Sequence, residues 1–162
     1  MRALCLWFAG LVLAGQIGFL APRPSLAEDG PSIVVSGLGG GERLLTLDQI
    51  KTLGSAELRT STVWTEGVQV FTGVTGAQFV ENLGAGGRTV HAVAANGYTV
   101  VIPAAVFATE TLLISYARNG QMMTLRDKGP FWVVFPFDAN AKFRSDTYRS
   151  YAIWSVTRFD FQ

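Results

Sequence analysis

Two side chains on which much enzyme chemistry depends are nearly missing from this sequence: cysteine occurs once, as Cys5, and histidine once, as His91. Cys5 lies inside an N-terminal apolar segment that reads as a signal, so the mature chain carries no thiol. Disulfides, iron–sulfur clusters, Cys-ligated zinc and cysteine nucleophiles are excluded together. A single histidine does not make a zinc site, and His91 has no acidic neighbour at a ligand spacing. A Ser-His-Asp triad would need that same histidine, and no Gly-x-Ser-x-Gly elbow is present. His91 alternates with Val90 and Ala92, which places it as an exposed or half-buried strand residue. A dominant charge is also lacking. Thirteen basic residues face 12 acidic ones, and two of the basic ones, Arg2 and Arg23, fall in the signal, so no nucleic-acid footprint follows. Glu57, Glu66, Glu110 and Asp127 are too scattered to form a spacing-defined carboxylate pair.

What the N-terminus does have is a signal pattern. Arg2 supplies a positive start, residues 3–19 form an apolar run broken by Gly10, Gly15, Gln16 and Gly18, and Ser25-Leu26-Ala27 follows the Pro22-Arg23-Pro24 break as a small-x-small cleavage site. The expectation is cleavage near Ala27, a periplasmic or secreted location, and a single domain over 28–162.

Along that domain, short strands alternate with short helices. Ile33-Val34-Val35 and Arg43-Leu44-Leu45 predict strands joined by the Gly37–Gly41 turn, which lacks the Lys-Ser/Thr of a phosphate loop. Thr46-x-x-Gln49 and Thr75-x-x-Gln78 are two capping boxes, opening helices that run to Leu53 and Leu83 and stop at Gly54 and Gly84. Leu58, Thr60, Thr62 and Trp64 alternate, predicting a strand over Glu57–Thr65, and Val68–Phe71 follows the Glu66-Gly67 turn. Asn96-Gly97 predicts a hairpin between Val90–Ala94 and Tyr98–Ile102, and Asn119-Gly120 another between Leu112–Tyr116 and Met122–Leu125. Ala104–Phe107 reads as one helical turn, Tyr148–Ala152 as a short helix and Trp154–Phe159 as a closing strand. The class is α+β.

The longest apolar run after the signal is Phe131–Phe137. Pro130 and Pro136 cannot donate to a sheet, so the paired core should be Phe131–Phe135, with Gly129-Pro130 as the turn leading in. Arg118, Arg126, Lys128, Lys142, Arg144 and Arg149 flank this strand. Turn-borne cations beside aromatic residues suit an anionic or planar ligand, and they equally suit an ordinary solvated surface.

Four segments, taken in order, resemble the molybdopterin-binding domain of sulfite oxidase-like oxidoreductases. They are Phe71-Thr72-Gly73-Val74 with the helix to Leu83; Ala94 to Pro103 around Asn96-Gly97-Tyr98; Leu112-Leu113 to Asn119-Gly120; and Gly129-Pro130 leading to Val133-Val134 and Pro136. The resemblance spans 44–159 and implies a mixed, β-rich sulfite-oxidase fold. It also implies a molybdenum–pterin cofactor acting on small oxoanions and sulfoxides. Two positions depart from the family. The neighbourhood that holds the family's metal-ligand cysteine is Thr60-Ser61-Thr62-Val63-Trp64 here, and Trp132 stands where the family carries an arginine after Gly-Pro. The first reading is therefore a non-catalytic exported module without a cofactor, taking a small anionic or planar ligand or docking on a membrane-associated sensor protein. The alternative is a molybdopterin-dependent oxidoreductase with a cysteine-free metal site. A binding wall, on either reading, should combine Trp64, Arg126, Lys128, Gly129, Trp132 and Arg144. That requires Trp64 and the Lys128 turn to face the same side of the domain.

Overall fold

The computed structural model describes residues 30–109 and 111–162; the expected signal peptide lies outside them. Among the described residues, ten strands build two five-stranded sheets, accompanied by four short α-helices. In the first sheet, β1 (Ser32–Ser36) pairs antiparallel with β2 (Arg43–Thr46) across the glycine turn, and parallel with β10 (Val156–Phe161). β10 in turn pairs with β5 (Val90–Ala94), and β5 with β6 (Thr99–Ile102) through the Asn96-Gly97 turn. The order is β2-β1-β10-β5-β6.

The second sheet runs from β3 (Ala56–Ser61) through β4 (Val68–Thr75) to β7 (Leu113–Arg118). Beyond β7, two short strands share its far side: β8 (Gln121–Met122) and β9 (Trp132–Val134). Of the paired core predicted over Phe131–Phe135, the strand covers Trp132–Val134, and all five residues are fully buried.

Local chemistry explains the helices. In α1 (Leu47–Thr52) and α2 (Gly76–Leu83) both capping boxes are complete. The threonine hydroxyl accepts the N–H of the residue three positions on, and that residue's glutamine carbonyl accepts the cap N–H. Gly84 ends α2 at φ 65°, the left-handed conformation that glycine adopts without a Cβ clash. α3 (Ala104–Phe107) is the single turn expected after Pro103, and α4 (Asp146–Tyr151) starts at Ser145, whose hydroxyl accepts from Tyr148 N.

Apolar alternation places the core. Phe79 of α2 and Phe107 of α3 meet Phe159 and Phe161 of β10 edge to face, with ring centroids 5.2–6.3 Å apart. Burying side chains of this size stabilises by roughly 1.5–3 kcal/mol each. His91 is half-buried on β5, as its alternation required.

Three expectations need correction. The strand predicted over Glu57–Thr65 ends at Ser61, because the Thr62 hydroxyl accepts Trp64 N (3.1 Å) and folds the chain into a turn. The return arm of the Asn119-Gly120 hairpin is two residues rather than four. Thr124 O instead accepts Asp127 N (2.9 Å) and Gly129 N (2.7 Å), winding Leu125–Asp127 into a 3₁₀ turn. The closing strand begins at Val156, not Trp154, since Ser155 has φ 52° and breaks the extended chain.

Candidate functional site

The turn that cuts β3 short is what aims Trp64 inward. Thr62 Oγ1 lies 2.9 Å from Thr65 Oγ1, Thr65 N donates to Thr62 O (3.4 Å), and the tightened loop turns the Trp64 indole towards the second sheet. There it meets Trp154 (centroids 5.3 Å), Trp132 (6.0 Å) and Phe137 (6.1 Å), all edge to face. Trp132 bridges backbone to backbone with Trp154, and its Nε1 donates to the carbonyl of Ala152 at 3.1 Å. Lys128 approaches from the Gly-Pro side, with its ammonium 4.6 Å from the centre of the Trp154 ring. The Ser155 N–H donates to Lys128 O (3.0 Å), tying the two segments together. Trp64 and Lys128 thus both contact Trp154, Trp64 from the cleft lining and Lys128 over the indole ring.

Beside this cluster opens a cleft of about 400 Å³, within the range of small-molecule sites. Trp64, Trp154, Tyr98 and Ile153 form its apolar walls, and Asn96 and Arg149 stand among the polar groups on its lining. Three separate pieces contribute: the β3–β4 turn, the tip of the β5–β6 hairpin, and the segment from α4 to β10. Tyr98 is half exposed and Trp154 is 37% exposed, so the aromatic surface is open to solvent. A second, smaller cavity of about 130 Å³ is lined by Ser61, Thr62, Phe137, Arg144 and Arg149.

The residues expected at the wall separate into different roles. Trp64 lines the cleft. Lys128 braces the Trp154 wall from outside it. Trp132 is fully buried behind Trp64, against Phe71 at 5.4 Å, and is packed into the scaffold. Gly129 is buried where a Cβ would come within 2.4 Å of Met123 O, so it is a close-approach glycine. Arg144 lines the smaller cavity, its Nη1 donating to Phe137 O at 3.2 Å. Arg126 is exposed on the 3₁₀ turn and lines neither cavity. Tyr98, Arg149, Ile153 and Trp154 were not expected at the wall. A signal for one of them was present in the sequence: Tyr98 directly follows the strongest hairpin turn in the chain.

The neighbourhood assigned by resemblance to a metal ligand has oxygen donors, and they are engaged. The carboxylate of Asp138 accepts the Ser61 hydroxyl (2.6 Å) and the Ser61 N–H (2.5 Å), with Thr60 Oγ1 at 3.5 Å. The Ser61 hydroxyl, followed by its N–H, holds Asp138 below the usual carboxylate range. Hard hydroxyl oxygens already bonded to a carboxylate do not match a soft thiolate ligand. Trp132, at the position of the family's arginine, gives its single N–H to a backbone carbonyl. The residues present do not fit a pterin–molybdenum group bound in the family's manner.

No family model matches the sequence, and no curated protein matches it. Among solved structures, the crystal structure of the sulfane dehydrogenase SoxCD from Paracoccus pantotrophus is similar, with a TM-score of 0.58 at 13% identity. The match covers 80% of this chain and 37% of that one, so the chain spans little more than a third of its neighbour's length. At this identity the likeness is one of fold. It supports a distant fold relationship of the kind the four motifs implied, and it brings no activity, cofactor or substrate to this chain.

Proposed function

We propose that this chain is an exported, non-catalytic binding module on a sulfite oxidase-like scaffold, and that it takes a small planar or anionic ligand in the Trp64–Trp154 cleft without a metal cofactor. The observation that carries this reading is the open aromatic cleft itself, with one wall supplied by the turn in which the family would place its metal-ligand cysteine. Aromatic walls bind flat ligands through area and edge-to-face contact, and they need few polar partners to do so. The competing oxidoreductase reading requires a soft ligand from a segment whose Ser61 hydroxyl is already hydrogen-bonded to Asp138.

Purification from a host that makes the molybdenum–pterin cofactor separates the two. Metal analysis and denaturing mass spectrometry should find neither molybdenum nor pterin. A stoichiometric molybdenum–pterin complex would overturn the proposal.

A further inference from the structure

The large cleft and the small cavity share one side chain, Arg149. Helix α4 carries it between them, with the aromatic walls on one side and Ser61, Thr62 and Arg144 on the other. The two arginines are not equivalent. Arg144 donates to Phe137 O and exerts an attractive charge on Asp138, so its position is held by the protein. Arg149 pairs at 3.0 Å with Asp146, whose side chain is 98% exposed. A solvated ion pair of this kind contributes little and exchanges readily. A guanidinium offers five N–H donors in one plane, and a single carboxylate contact leaves most of them for a ligand.

The walls narrow the ligand further. Trp64, Tyr98, Trp154 and Ile153 suit a flat apolar ring, whereas a ring with donors and acceptors along its edges would lose water there for few replacements. Among the described residues on the cleft lining, the cation is Arg149, which also lines the small cavity. We propose that the site binds an aromatic acid: a flat apolar ring between Trp64, Tyr98 and Trp154, bearing one carboxylate or sulfonate that takes the place of Asp146 on Arg149. This rests on the binding-module reading and specifies its ligand class. Arg149 is then the specificity-determining residue, since it distinguishes an acid from its neutral isostere.

The test uses 2-naphthoate and its neutral isostere 2-naphthamide, titrated by calorimetry into the purified mature protein, with 2-naphthalenesulfonate as the second acid. The wild type should bind both acids at least about tenfold more tightly than the amide, as expected for a charge-assisted hydrogen bond. Arg149→Gln should abolish that preference while leaving amide binding within about twofold, and Arg149→Lys should restore part of it. Trp154→Ala should weaken acids and amide alike. Far-UV circular dichroism of each variant checks folding, and Arg149 is exposed enough for its substitution to be tolerated. Equal affinity of the wild type for acid and amide, or a preference that survives Arg149→Gln, overturns the aromatic-acid assignment and leaves the binding-module reading standing. If neither acid nor amide binds at millimolar concentration, both readings fall.

Discussion

Replacing Trp132 by phenylalanine separates a scaffold residue from a ligand wall. Trp132 is fully buried, and its Nε1–H donates to the carbonyl of Ala152, a residue that is itself 1% exposed. Phenylalanine keeps a ring against Phe71 and Trp64 but strands that carbonyl, which costs about 1–3 kcal/mol. It also leaves part of the indole volume empty. Full truncation of a buried tryptophan costs about 3–5 kcal/mol, so losing the pyrrole portion adds on the order of 1 kcal/mol. The sum is about 2–4 kcal/mol, enough to lower the melting temperature of a domain this size by roughly 10 °C. The assay is urea unfolding followed by far-UV circular dichroism, because removing a tryptophan changes the fluorescence for trivial reasons. A Trp132→Phe protein with stability within about 0.5 kcal/mol of the wild type and weakened affinity for cleft ligands would refute the reasoning. It would place Trp132 in the site.

Three further outcomes follow from the same contacts. Asp138 has its pKa depressed by the Ser61 hydroxyl and N–H, so its contribution to stability is complete above its ordinary value of 3.8 and is lost as pH falls through the lower folded value; Asp138→Asn should flatten the acid limb of stability below about pH 4 in urea melts. Thr75→Ala removes one half of a capping box at a position only 5% exposed, and should cost about 1 kcal/mol by thermal melting. Lys128→Met removes the ammonium from the Trp154 ring and should destabilise by about 0.5–1 kcal/mol in urea melts.

What could be read from the sequence was what local chemistry decides. Thr46 with Gln49, and Thr75 with Gln78, are three residues apart, so both capping boxes are complete within a few residues of chain. The Asn96-Gly97 turn likewise needs only its own backbone preference, with Gly97 at φ 82°. Trp64 shows where that logic stops. Its alternation with Thr60 and Thr62 satisfied a strand pattern, but the Thr62 hydroxyl captured the Trp64 N–H and made a turn, a competition between side chain and ladder that periodicity does not encode. The site was harder still. Tyr98 on the β5–β6 hairpin, and Arg149 and Trp154 on the segment from α4 to β10, meet Trp64 only once both sheets have formed. The Lys128 turn was identified because it sits beside a run of aromatics, yet it serves the outer side of the wall.

The parallel contact between β1 and β10 also sets an order of events for the chain during synthesis. β10 lies between β1 and β5, so two of the four pairings in its sheet wait for the last strand of the domain to be made. Until then β1 and β2 can close their hairpin and β5 and β6 theirs, but the two hairpins have no common partner, and Phe79 and Phe107 have no Phe159 to cover. Contacts between residues more than a hundred positions apart are slow to form, because loop closure precedes any gain. The two pairings of β10 therefore close late, whereas both hairpins and the whole second sheet, whose strands lie within 56–134, draw only on residues made before it.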